Sequence, residues 1–318
     1  MFTSATTIAD VPDGITRVDL SELIAMRARA GTPATHAVRN RTPLAGGHVS
    51  TVRGRGMDYA ESRVYQSGDD ARNIDWRRTA RSGKWHTKLF QAEREHALLL
   101  MFDTSATMHF GTRMRYKSVA AARAGAWLAW TSVRGGDRVG AMAFGTVRAA
   151  VDPQGGTRGA LAVLGALARW DQQHEHAAPD DPGGALSAAL MRARRMVAPG
   201  NQVWLFSDGW CADASASRTL LRVARHVDLH VAILVDPLEQ VPMPAGSYLF
   251  ETRSGKRRVD ASSMAARTAL RDRLAQGWQK LAGACDQACV PWTKLTTTDE
   301  PDVVLGALWH ARPRGRRP

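Results

Sequence analysis

The stretch 97–108, ALLLMFDTSATM, constrains the fold most, because six apolar residues, Ala97 to Phe102, stop at an aspartate followed by alternating hydroxyls. Six residues are too few to span a membrane, and an apolar run without polar alternation marks a strand buried on both faces. Asp103 then falls where that strand ends. In open α/β sheets, ligands bind outside the carboxyl ends of the strands, at the point where strand order reverses. A carboxylate with hydroxyls at Ser105 and Thr107 on one tight loop is well placed for chemistry there, and oxygen-only donors suit a hard cation such as Mg²⁺.

The chain downstream alternates between two periods. Val119, Ala122, Ala126, Trp127 and Trp130 fall at helical spacing over 117–133, and Gly135 and Gly136 end that helix. A strand at 138–144 is expected to pair as a hairpin with 147–151 across Gly145 and Thr146. Helices follow at 157–170, 186–197, 218–226 and 262–284, with a short last one at 302–309. Strands are expected at 203–206, 229–235 and 292–295. The strand at 203–206 again ends in hydroxyl and acid, Ser207 and Asp208. Residues 247–259 read as a β-hairpin excursion. Strands alternating with helices predict a Rossmann-like α/β fold, a mostly parallel sheet with helices on both faces.

Two segments precede that body. A helix is expected over 21–30 with Ser21 as N-cap, leaving Leu20, Leu23, Ile24 and Met26 to dock on the body, and 32–56 reads as extended connector. In 63–88, Asp69, Asp70 and Asp75 are interleaved with Arg72, Arg77, Arg78 and Arg81. Interleaving of this kind predicts a structural ion-pair network beneath a loop, anchored by Trp76 and Trp85. The organisation expected is an N-terminal extension and connector (1–52), a segment packed on the body (53–96), the main α/β domain (97–310) and a basic tail (311–318).

A length of 318 residues and an apolar content of 44% suit one large α/β domain with an appendage. No apolar stretch reaches the roughly 18 residues of a spanning helix, so no membrane span is expected. The first residues lack the basic start and apolar block of a secretory signal, which predicts a cytoplasmic protein. Cys211, Cys285 and Cys289 match neither a disulfide framework nor a zinc-ligand spacing and are read as reduced thiols. His174 and His176, beside Asp171, Asp180 and Asp181, read as a solvated polar loop. A net charge of +13 suggests an acidic partner.

The segment RVYQSGDDARNIDWRRTAR, together with the DTSAT loop and the later SDG, resembles the bacterial family catalogued as domain of unknown function 58. The resemblance rests on Arg63, Tyr65, Gly68, Asp69, Asp70, Arg72, Ile74, Asp75, Trp76, Thr79, Ala80 and Arg81, and on Asp236, Pro237 and Glu239 further on. It runs from about Arg53 to the C-terminus. The family is similar in its second half to von Willebrand factor type A domains. That likeness implies a metal-ion-dependent adhesion site, with Mg²⁺ held by Asp103, Ser105, Thr107 and Asp208. The adhesion-site threonine aligns with Ala185, and Thr157, the other threonine after two glycines, lies too far upstream of Asp208. One oxygen is therefore missing, which weakens such a site without abolishing it, since Mg²⁺ readily keeps waters. The alternative is that both aspartates hydrogen-bond backbone amides and hold loops.

The resemblance implies a non-enzymatic protein-binding adaptor that works with a MoxR-type AAA+ ATPase on an acidic protein client. The chain has no G-x-x-x-x-G-K-[ST] loop, so ATP chemistry is expected to come from the partner. Two other classes compete with the adaptor reading. D-x-S-x-T resembles the nucleophile loop of haloacid dehalogenase-type phosphatases, but Ser105 stands where the general acid belongs. Nucleic-acid binding through arginines and tryptophans is the third reading, disfavoured because most tryptophans fall at core spacing.

Overall fold

In the computed structural model the strand β3 (Ala97–Asp103) has its first residue half-buried and the remaining six buried, with the two faces serving different cores. Leu98, Leu100 and Phe102 pack with one helical layer, and Leu99 and Met101 with the other, as a two-residue period demands of a central strand. The structure describes residues 14–31, 57–66, 69–92, 96–174, 185–252 and 255–310. Two compact units are distinct, one comprising residues 1–37 and 96–318, the other residues 38–95.

The larger unit is built on a six-stranded sheet. Besides β3 it contains β4 (Arg138–Phe144), β5 (Ala149–Gly155), β6 (Gln202–Ser207), β7 (Asp228–Val235) and β10 (Trp292–Thr296), in the spatial order β10-β7-β6-β3-β4-β5. All neighbours run parallel except β5, which returns antiparallel to β4. Helices cover both faces. α3 (Lys117–Arg134), α4 (Gly156–His174) and α8 (Pro301–His310) contribute to the first layer. α5 (Ala185–Met196), α6 (Ala216–Ala224) and α7 (Met264–Gln287) contribute to the second. This is the Rossmann-like α/β architecture, a mostly parallel sheet with helices on both faces, that the alternation predicts. The order reverses between β3 and β6, so Asp103 and Asp208 emerge side by side at the switch point.

Close packing explains two glycines. A Cβ at Gly125 of α3 would lie 2.3 Å from the Phe102 ring, so only a glycine lets α3 sit on β3. Gly209, directly after Asp208, has φ +85° and would place a Cβ 2.3 Å from the Gly277 carbonyl of α7. The loop after β6 is thereby pressed onto that helix.

The N-terminal helix belongs to the body. α1 (Leu20–Ala25) is capped by Asp19, whose side chain accepts from the Ser21 amide, so the cap falls two residues before the expected Ser21. Leu23 and Met26 are buried, whereas Leu20 and Ile24 face solvent. The indole of Trp130 donates to the Leu23 carbonyl at 3.1 Å and that of Trp127 to the Arg29 carbonyl at 3.0 Å. Asp171 accepts the Val18 amide at 2.8 Å and faces His109, so it is a structural clamp and not a member of a solvated loop. The connector at 32–56, His176 and the basic tail lie outside the described residues.

In the smaller unit β1 (Met57–Val64) pairs antiparallel with β2 (His86–Ala92), and α2 (Trp76–Ser82) lies between them in sequence. In a chain-separate excursion of the larger unit, β8 (Ser247–Thr252) and β9 (Gly255–Asp260) form the expected hairpin. No helix of the described residues is long and apolar enough to cross a membrane.

Candidate functional site at the strand-order reversal

Asp103 is 3% exposed and both its carboxylate oxygens are spent. One accepts the Ser105 amide at 2.9 Å and the Ser105 hydroxyl. The other accepts the Ser207 hydroxyl at 2.6 Å and the Cys211 thiol at 3.1 Å. Burial, and then the neighbouring Asp208 charge, push the Asp103 carboxyl above the usual carboxylate range. Burial likewise holds the Cys211 thiol well above the ordinary thiol range, so it is a hydrogen-bond donor and not a nucleophile. Thr104 fastens the loop to the neighbouring turn: its hydroxyl donates to the Phe144 carbonyl at 2.8 Å and accepts the Val147 amide at 2.9 Å.

Asp208 is 1% exposed and has a partner that the motif does not announce. The Lys117 ammonium, at the start of α3, lies 3.2 Å from its Oδ2 and 2.6 Å from Glu239 Oε1. Burial disfavours a charged lysine, but the two carboxylates outweigh it and hold Lys117 above its ordinary pKa. Glu239 closes a second circuit. Its other oxygen accepts the Asp236 amide at 3.0 Å, while Asp236 accepts from Leu238, forming a capping box. Asp236 also accepts from the Thr112 amide at 2.9 Å and the Thr297 hydroxyl at 3.1 Å, tying the loops after β3, β7 and β10 together. Sequence reasoning flagged Asp236 and Glu239 only as family features and missed Lys117. A lysine at the first turn of an otherwise apolar, alanine-rich helix was the available signal.

The expected Mg²⁺ ligands thus come together at one edge. Thr107 Oγ1 is buried without a hydrogen-bond partner, which suits a donor to a cation. The rest of the set does not fit one. Asp103 is saturated by internal donors, Asp208 is bonded to an ammonium, and Ala185, at the start of α5, brings no oxygen. No group of three or more His, Cys, Asp or Glu among the described residues could hold a metal ion. Thr157 is no substitute: Gly155 pairs with Arg138 at the amino end of β4, so α4 starts at the opposite end of the sheet from Asp103. The start of α5 does belong to the functional edge, where Ser187 donates to Asp213 at 3.1 Å in the loop after β6. Around the closed charged centre, Ala106, Thr112, Arg113, Met114 and Trp210 are exposed on the loops after β3 and β6.

The signature residues of the smaller unit form no charge network. Asp69 pairs with Arg63 at 2.6 Å and accepts the Gln66 amide at 2.9 Å. Asp75 caps α2 through the Arg78 amide and accepts the Ser62 hydroxyl at 2.6 Å. Asp70 accepts the Arg72 amide at 3.0 Å. The guanidinium groups of Arg72, Arg77, Arg78 and Arg81 are exposed and make no ion pair among the described residues. The expected network is therefore replaced by turn and helix capping, because short aspartates reach nearby amides at less entropic cost than they reach long arginines. Gly68 lies outside the described residues.

Comparisons with known proteins agree with the signature. Uncharacterized proteins of Mycobacterium bovis and Mycobacterium tuberculosis are 32% identical over 215 residues, which is 67% of this chain and 66% of theirs. The chain thus spans about two thirds of the length of the curated relatives it matches. Among solved structures, the conserved hypothetical protein BatB from Bacteroides thetaiotaomicron is similar at 13% identity, over 68% of this chain and 96% of that one, with a TM-score of 0.44. A von Willebrand factor type A protein from Catenulispora acidiphila is similar at 13% identity, over 61% of this chain and 44% of that one, with a TM-score of 0.34. A family model matches residues 61–280, taking in both the signature segment and the switch-point loops, and the chain belongs to the family described as protein of unknown function DUF58.

Proposed function

We propose that this chain is a non-enzymatic, protein-binding adaptor that works with a MoxR-type AAA+ ATPase, using the switch-point edge of its sheet as the receiving surface. The observation that carries this reading is the internal saturation of Asp103 and Asp208. A phosphatase nucleophile must be ionised and free to approach phosphorus, whereas Asp103 is buried, raised in pKa and held by Ser105, Ser207 and Cys211. A rigid, closed centre rimmed by exposed Met114, Trp210 and Arg113 supports docking better than turnover. Free cysteines fit a reducing, cytoplasmic setting.

Metal assistance takes second place in this reading. Lys117 supplies at Asp208 the positive charge that a cation would otherwise bring, so partner binding does not depend on Mg²⁺. Nucleic-acid binding has less support in the larger unit, where Trp127, Trp130, Trp170 and Trp204 are all buried.

Co-expression of the full chain with a MoxR-type ATPase, followed by affinity purification through the chain, tests the proposal. Recovery of the ATPase is expected with the wild type and loss of it with the double variant Met114→Glu, Trp210→Ala. Absence of the ATPase from the wild-type eluate would refute the pairing.

A further inference from the structure

The smaller unit carries a surface that its own packing does not explain. Trp76 is 64% exposed and Trp85 56%, although tryptophan is the side chain with most apolar area to gain from burial. The two rings lie 6.0 Å apart at 59°, and Tyr65 stands 6.2 Å from Trp85 at 55°. Together they make one aromatic ledge. Arg77, Arg78 and Arg81 on α2 line an open cleft of about 470 Å³ with Asp75 and Ser82. Arg77 and Arg81 are four apart and Arg78 and Arg81 three apart, so these like charges repel along a helix of only seven residues. Asp75 is buried and engaged as the helix cap, and the three guanidinium groups have no ion-pair partner among the described residues. Arg77 follows Trp76 directly in sequence, and the arginine cleft occupies another side of the same short helix, so α2 carries both exposed tryptophan and unpaired arginine, residue types that dominate binding hot spots.

We propose that α2 and its flanks receive an acidic protein segment that carries an apolar side chain and wraps the helix, meeting Tyr65, Trp76 and Trp85 on one side and Arg77, Arg78 and Arg81 on the other. The unpaired positive charge selects carboxylates, and the guanidinium fork suits them in two-point pairs. The aromatic ledge gives the apolar side chain a place to bury. The ring tilts favour a peptide over a nucleic-acid strand, because successive bases stack on open parallel faces and these rings turn edges toward one another. The inference deepens the adaptor reading and rests on it for the class of partner, but it uses residues remote in sequence from Met114 and Trp210.

The test is fluorescence anisotropy with the full chain and three labelled probes: a short peptide of glutamates flanking one leucine, the same peptide with glutamines, and an oligothymidylate of matched charge. The glutamate peptide should bind saturably and more weakly as salt rises, and the glutamine peptide should not bind. Trp76→Ala and Arg78→Gln should each weaken binding about tenfold or more while melting like the wild type. The exposed control Arg222→Gln should bind as the wild type does. Tighter binding of oligothymidylate than of the glutamate peptide would overturn the proposal in favour of a nucleic-acid face. Absence of saturable peptide binding, or equal affinity in the Trp76 and Arg78 variants, would overturn it outright. Failure here would leave recovery of the ATPase through the switch-point edge untouched, and failure of that recovery would leave peptide binding intact.

Discussion

An ammonium group buried between two carboxylates is stable only as a set, and Lys117 with Asp208 and Glu239 is such a set. Lys117→Met removes the cation and strands two buried negative charges, so it should cost about 3 to 5 kcal/mol in chemical denaturation; a wild-type midpoint would show that the carboxylates need no partner. The same cluster sets the response to Mg²⁺. Calorimetric titration should give negligible heat for the wild type and for Ala185→Thr, because Asp208 stays engaged. Binding should emerge in the double variant Ala185→Thr, Lys117→Met, where a hydroxyl is added and the ammonium removed. Mg²⁺ binding by the wild type would overturn the view that lysine holds the cation's place. In the smaller unit, Arg72→Ala should melt like the wild type, since its side chain is exposed and unpaired, whereas Asp75→Ala should lower the melting temperature by loss of a helix cap and of the Ser62 bond. Asp103, Ser105, Thr107 and Asp208 were legible as neighbours because each follows a buried strand. Their saturation was not, because it depends on Lys117, Ser207 and Cys211, which only the folded chain brings to them.

The strap formed by α1 is held to the body at an ionic junction. Glu300 receives Arg123 at 2.8 Å, Arg115 at 3.3 Å and Arg29 besides, and Arg123 also pairs with Glu22 of α1. Partial burial pushes the Glu300 carboxyl up, but the Arg123 charge and its fellow arginines outweigh it, leaving Glu300 below the usual range. A folded pKa below the unfolded one means that the contribution is fully present above the unfolded value, near 4.5, and is lost as pH falls through the folded value. Glu300→Gln should therefore lower stability at neutral pH and flatten the acid limb of the stability curve. An unchanged acid limb in that variant would assign the pH dependence to other carboxylates. Element identity was mostly readable from periodicity, as in α3, β6 and the β8–β9 hairpin. Element ends were less so: Asp19 displaces Ser21 as cap because its carboxylate reaches both the amide and the hydroxyl of Ser21. The pairing of β1 with β2 was not visible, since its strands are separated by the turns and helix of the signature segment.

At the scale of the larger unit, the sheet order brings two strand ends together and the helices close both faces, so the edge presents two aspartates that are buried and already engaged. Fold class followed from the sequence because buried parallel strands leave long apolar runs at regular intervals. Function did not, because the same architecture carries catalytic, metal-binding and purely docking edges, and the distinction lies in which side chains are already satisfied. The most direct measurement is steady-state ATP hydrolysis by a MoxR-type ATPase titrated with this chain, alongside the chain alone. The chain alone should show no turnover, and the rate of the ATPase should change saturably with the chain, a change abolished by the Met114→Glu, Trp210→Ala variant. Hydrolysis by the chain alone that disappears in Asp103→Asn, or an ATPase rate indifferent to the chain at every concentration, would contradict the adaptor reading.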